Sequence, residues 1–138
     1  MPSFQHSTTA AAPPEEVWKV LYDPSRFPEW WAGVEAVEVD TLPADAGDPT
    51  SYTLYATGYP DFPMPQQLQA SRDQQSIVIS CLVSDLRFDW RLEPLDGGRA
   101  TRISVHVEIP QTEAHRLGTQ REVIAASLSR LAAVVTGL

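Results

Sequence analysis

The sequence is poor in the features that commit a chain to a particular chemistry. A single cysteine, Cys81, stands among 138 residues, so no intrachain disulfide can form and the fold needs no oxidising compartment. It sits in the apolar run Ile77 to Val83, where cysteine behaves as a small buried hydrophobe. Lysine occurs once, as Lys19, beside nine arginines, and the 18 acidic residues outnumber the 10 basic ones to give a net charge of -8. No basic run interrupts that balance, which argues against nucleic-acid partners and against docking on anionic lipid. No stretch approaches the roughly 20 apolar residues of a membrane span. The opening residues, Met1 to His6, have neither the basic start nor the apolar core of a signal peptide. The expectation is a cytoplasmic protein without membrane insertion. Arginine in place of lysine, with much alanine and proline, is the bias of a GC-rich bacterial genome.

Catalytic signatures are absent as well. The three histidines, His6, His106 and His115, fall on different elements without metal-ligand spacing, so no metal is expected. No nucleophile elbow, phosphate-binding glycine loop or dinucleotide fingerprint occurs, so no nucleotide cofactor is expected either.

What the sequence does contain is periodicity. Leu117, Ile124, Leu128, Leu131 and Val135 recur at helical spacing and predict a long amphipathic helix over 112–137. Thr112 is its expected cap and Gly137 its stop. Upstream, Ser3 to Thr9 reads as a short strand with Phe4, His6 and Thr8 on one face. Pro13-Pro14-Glu15-Glu16 opens a helix with Val17, Trp18 and Leu21 on its apolar side. Asp23-Pro24 ends it and caps a second short helix carrying Phe27, Trp30 and Trp31.

From Val34 the period falls to two, and six strands are predicted over 34–40, 51–57, 66–72, 77–83, 86–93 and 100–109. Short turn-rich links, among them Leu42 to Pro49, Gly58 to Pro65 and Asp96-Gly97-Gly98, join neighbours antiparallel. The last two strands alternate strictly: Leu86, Phe88, Trp90 and Leu92 on one face, Arg87, Asp89, Arg91 and Glu93 on the other. One face is covered and the other is wet, and His106 belongs to the wet one. The fold class is α+β: a seven-stranded curved antiparallel sheet, a long C-terminal helix, and two short helices between strands 1 and 2, in one domain spanning 1–138. A helix about 10 to 12 Å across cannot fill so wide a curled sheet, and a gap is left for packed side chains or for a ligand.

Two stretches resemble a known group. Ala12-Pro-Pro-Glu-Glu-Val-Trp-Lys-Val-Leu-Tyr-Asp-Pro24 with Arg26-Phe-Pro-Glu-Trp-Trp31 is similar to the opening of the START/SRPBCC superfamily, and within it the polyketide cyclase/dehydrase and lipid-transport families. Leu86 to Gly98, followed by a strand and a terminal helix, resembles the same pattern over the rest of the chain. The resemblance implies a helix-grip fold around a deep hydrophobic cavity. Its members bind lipids, sterols, polyketides or plant hormones, some cyclise polyketides, and some bind proteins. Fold alone does not choose among these.

A cavity of that kind draws its walls from Trp31, Tyr52, Leu54, Phe88 and Trp90, and from Leu117, Arg121 and Ile124 on the helix. The proline-stiffened loop Gly58 to Pro65 offers Tyr59, Phe62 and Met64 as entrance residues, with Asp61 beside them. His6 is the candidate proton carrier, because imidazole titrates near neutrality. Arg121 is the candidate to stabilise an enolate oxygen, unless its stem only packs and its head reaches solvent. Three functions follow. The first is binding of a hydrophobic small molecule such as a lipid, polyketide or aromatic metabolite. The second is a polyketide aromatase/cyclase-type enzyme. The third is a protein-interaction module with a closed cavity, and a homodimer is compatible with any of them.

Overall fold

The period-two stretches form one sheet, and a computed structural model of the chain describes it over residues 2–41, 49–59, 61–83 and 85–136. Strand β1 (Ser3–Ala10) is followed by helix α1 (Pro14–Leu21), a 3₁₀ turn at Pro24–Arg26 and the single-turn helix α2 (Phe27–Trp30). Then come β2 (Val34–Thr41), β3 (Thr50–Ala56), β4 (Met64–Ser71), β5 (Ser76–Cys81), β6 (Arg87–Leu95) and β7 (Ala100–Glu108). A 3₁₀ segment, Gln111–Arg116, leads into helix α3, Leu117–Thr136. The expected turn at 42–49 lies largely outside the described residues, and the expected stop at Gly137 lies wholly outside them.

All seven strands are antiparallel, in the order β1-β7-β6-β5-β4-β3-β2. From one edge strand, β1, the chain passes through α1 and α2 to the opposite edge, β2, and then meanders back strand by strand. The two helices therefore bracket one end of a curved sheet. Asp23 holds the bracket's bend: its Oδ1 accepts from the Ser25 backbone N–H at 3.1 Å and from Ser25 Oγ at 2.6 Å. Gly33, at φ +86°, makes the turn from α2 into β2, a conformation that costs an L side chain about 1–2 kcal/mol. Its carbonyl accepts from Thr57 N–H at 2.9 Å, so the link is tied to the far end of β3.

Alternation decides which side chains face inward. Tyr52 and Leu54 on β3, Leu68 on β4, Ile77 and Ile79 on β5, and Phe88 and Trp90 on β6 are buried on the covered face. Cross-strand register puts Tyr52 opposite Gln66, and Gln66 opposite Cys81. That row crosses three strands. The outer face carries Arg87, Arg91, Arg102 and the half-exposed His106, as the alternation predicts.

Helix α3 buries Ile124, Leu128 and Leu131, and each such side chain contributes about 1.5–3 kcal/mol. Its predicted start at Thr112 is corrected by the structure: the α-helix begins at Leu117, and the turn before it is 3₁₀, with Glu113 off helical geometry at φ -112°, ψ 16°. Pro110 is the physical reason. Its carbonyl accepts from Glu113 N–H at 2.8 Å, an i to i+3 closure that tightens the first turn. The helix comes nearest to β1 and to the α1–α2 bracket, and its buried side chains join one core with those of the sheet.

Candidate functional site

The space between sheet and helix is filled chiefly by aromatic rings. Trp30 meets Trp90 edge-on with centroids 5.3 Å apart, and Trp31 meets Phe88 at 5.1 Å and Trp90 at 5.6 Å. Phe27 reaches Trp31 at 5.1 Å and Tyr52 at 5.6 Å. Such pairs add about 0.5–1.5 kcal/mol each beyond their burial. The Nε1–H groups of Trp30 and Trp90 are buried without a hydrogen-bond partner among the described residues. Their near-perpendicular contact, at 88°, is the arrangement in which a ring edge faces a π cloud and recovers part of that loss.

Beside this cluster a pocket of about 160 Å³ stays open. Trp31, Ala32, Gly33 and Val34 form one wall, Leu54 and Ala56 of β3 and Met64 and Gln66 of β4 the floor. Cys81, Leu86 and Phe88 close the far side, and Arg116, Gln120 and Val123 bring in the N-terminal end of the helix. Ser127 fixes the wall to the helix. The Ala32 N–H donates to Ser127 Oγ at 2.9 Å, while that hydroxyl donates to the Val123 carbonyl at 2.6 Å. Positions 116, 120, 123 and 127 are spaced by four, three and four, so one face of the helical segment lies toward pocket and link.

The polar groups of the pocket are few and specific. Tyr52 O–H donates to Gln66 Oε1 at 2.7 Å, and both residues are buried. Burial pushes the Tyr52 phenol well above its ordinary range, with the neighbouring Cys81 thiol acting in the same direction. It therefore stays a donor, and it holds the Gln66 oxygen. Gln66 itself lines the pocket, with its amide fixed by that bond. At the mouth, Arg116 retains about a third of its side-chain exposure and lies 4.0 Å from Glu113 Oε2, beyond hydrogen-bond range. Among the described residues no carboxylate and no imidazole lines the pocket. What remains is an apolar chamber with hydrogen-bond donors and a cation. It can bind and polarise an acceptor.

Of the residues named from the sequence, Trp31, Leu54, Met64 and Phe88 line this pocket. Tyr52 stands behind Gln66. Trp90 and Ile124 are fully buried core, and Leu117 is half-buried at the start of α3. Tyr59 and Phe62 project from the β3–β4 loop with 66% and 64% of their surface exposed, outside the pocket wall. Exposed Leu82 and Val83 sit nearby, on a turn tied to that loop's end by Leu82 N–H donating to Pro65 O at 3.0 Å. Asp61 is exposed on the same loop.

His6 and Arg121 lie elsewhere. The His6 ring packs edge-on against Phe4 at 5.6 Å, and the Arg121 guanidinium lies over the same Phe4 ring at 5.6 Å. Arg121 is exposed, at the β1 edge of the molecule, and neither residue lines the pocket. The sequence reading missed Arg116, Gln120 and Gln66. Gln66 shares parity with Leu68 and was legible as inward-facing. The helix stripe was not, because its pocket end is polar.

Residues 1–136 match the family model described as polyketide cyclase / dehydrase and lipid transport. No curated protein matches the sequence. Among solved structures, the chain is similar to the Zhui aromatase/cyclase from Streptomyces sp. R1128, with 18% identity, TM-score 0.77, and 98% of this chain and 93% of that one covered. It is also similar to a protein from Chromobacterium violaceum, at 20% identity and TM-score 0.73 with 98% of both chains covered. A protein from Thermus thermophilus matches at 17% identity and TM-score 0.72, over 99% of this chain and 98% of the other. Identities this low establish a shared helix-grip fold and nothing finer.

Proposed function

The chain belongs to the polyketide cyclase / dehydrase and lipid transport family, and from that premise we propose that it is a cytoplasmic single-domain protein that binds a hydrophobic small molecule in the pocket between its sheet and the start of α3. One observation carries the reading: an open, largely apolar pocket remains beside a packed aromatic core, and among the described residues no carboxylate or imidazole lines it. Apolar walls supply affinity, and a few fixed donors supply orientation. The aromatase/cyclase alternative has family membership behind it. It has no observation of its own in the pocket, because cyclisation needs proton transfer at the folded substrate. The interaction-module alternative rests on the exposed Tyr59 and Phe62 alone.

Native mass spectrometry of protein purified from its own host tests the reading. A co-purifying small molecule is expected, and Met64→Trp, which fills the pocket from its floor, should release it without unfolding the chain. A molecule retained equally by Met64→Trp, or a mass corresponding only to bare chain or chain oligomers, would contradict the proposal.

A further inference from the structure

The pocket's size and the placement of its donors narrow the ligand class. Resting on the pocket-binding reading above, we propose that the ligand is a one-ring carboxylic acid carrying a second oxygen at the opposite end of the ring. The carboxylate pairs with Arg116 at the mouth, the ring lies against Leu54 and Phe88, and the far oxygen accepts from the Gln66 amide.

Volume sets the first limit. An apolar protein cavity of about 150 Å³ holds one benzene, and this pocket measures about 160 Å³. One ring with short substituents fits within it, whereas a fused three-ring skeleton extends out through the mouth and leaves part of its surface in water. Donor placement sets the second limit. Gln66 is 5% exposed and lines the pocket, and its oxygen accepts from Tyr52 at 2.7 Å, which fixes the amide and sets its N–H₂ as the donor end. A ligand oxygen that accepts from a donor already held in place loses little in ordering it. Gln66 therefore reads the far end of the molecule.

The mouth reads charge. Arg116 brings a planar fork of donors that matches a carboxylate in bidentate fashion. Its nearest acidic neighbour is the 4.0 Å contact with Glu113, which His115 shares at 3.7 Å, so an entering carboxylate displaces no tight pair. Gln120 lies beside it as a further amide, and the first turn of a 20-residue helix borders the same opening with its positive end. Among the described residues no acidic side chain lines the pocket to oppose an anion. The protein as a whole carries a charge of -8 and gives such a ligand no long-range attraction. Selectivity for the acid thus comes from contact, and it weakens only moderately with salt.

Isothermal titration calorimetry and ¹⁵N–¹H correlation spectra on the full chain test this with four probes: 4-hydroxybenzoate, its uncharged isostere 4-hydroxybenzamide, benzoate, and anthracene-2-carboxylate. The expected result is 4-hydroxybenzoate binding roughly tenfold or more tighter than each of the other three, with amide shifts centred on Leu54, Gln66, Phe88 and Gln120. Arg116→Met should remove the preference for acid over amide, Arg116→Lys should restore part of it, and Gln66→Leu should remove the preference for 4-hydroxybenzoate over benzoate. Equal affinity for acid and amide would overturn the carboxylate assignment and leave the pocket reading standing. Equal affinity for the three-ring acid would overturn the size limit. No shift at any pocket amide with any probe would remove the pocket reading as well. The comparison among probes on the parent chain decides the matter even where a variant fails to fold.

Discussion

Replacing Ser127 with alanine should loosen the joint on which the pocket wall depends. The Ser127 hydroxyl is fully buried and accepts from the Ala32 N–H at 2.9 Å. Alanine leaves that half-buried N–H without a partner, at a cost of about 1–3 kcal/mol. Two terms offset part of it. Alanine is the better helix former by a few tenths of a kcal/mol, and the bond to the Val123 carbonyl at 2.6 Å competes with the helix's own pattern, so its loss is nearly neutral. The net expectation is a loss of about 1–2 kcal/mol. In urea, with a slope of about 2 kcal/mol per molar, the unfolding midpoint then falls by roughly 0.5–1 M. Tryptophan fluorescence is a suitable probe because Trp31 adjoins the joint. Amide exchange adds a local reading: the Ala32 N–H should exchange faster than in the parent by more than the global destabilisation explains. A midpoint unchanged within error, with Ala32 still protected, would refute the claim that this bond holds the wall to the helix.

The remaining expectations follow from the same contacts. Trp90→Ala empties the centre of the ring cluster and should cost about 3–5 kcal/mol by denaturant unfolding; a loss below about 1.5 kcal/mol would mean the cluster repacks freely. Gly33→Ala meets no atom within 4 Å of the added Cβ, so its cost is the positive φ alone. That cost should be about 1–2 kcal/mol, seen as a lower melting temperature with the fold retained by circular dichroism. Tyr52 governs alkaline stability. Its folded pKa is raised above the unfolded value of about 10, so the folded chain keeps a proton that the unfolded chain releases. Its contribution is complete below about pH 10 and is lost as pH climbs through that value toward the folded one. Tyr52→Phe should flatten the fall in urea midpoint above about pH 10, while costing about 1–3 kcal/mol at neutral pH by stranding the Gln66 oxygen. An alkaline slope identical in parent and variant would remove Tyr52 as its source.

Most of the fold was legible because burial is coded by period. The alternation from Leu86 to Ile109 predicted which face of β6 and β7 is covered, and Phe88, Trp90, Ile103 and Val105 are buried there. Asp23-Pro24 declared the second short helix, since the only role open to that pair is a cap followed by a first-turn proline. The site was less legible, for two physical reasons. The first is the ring cluster: Trp30, Trp31 and Trp90 meet between sheet and helix, and sequence spacing does not say how far rings from two elements interdigitate. The second lies on the helix: the predicted stripe is the buried one, but Arg121, between Leu117 and Ile124, is exposed with its head over Phe4, the solvent-reaching alternative that spacing alone left open. The neighbouring stripe, Arg116, Gln120, Val123 and Ser127, faces the pocket although its polarity marks it as solvated. Ser127 was the available signal: a small hydroxyl between Ile124 and Leu131 in a buried stretch implies a specific partner.

A crystal soaked with bromobenzene tests the existence of a one-ring chamber most directly, because bromine's anomalous scattering locates the ring without interpretation of its shape. The account predicts one anomalous peak in the space bounded by Leu54, Met64, Phe88 and Val123, with Trp30 and Trp90 unmoved. A peak only outside that space, or no peak at saturating bromobenzene, would contradict it.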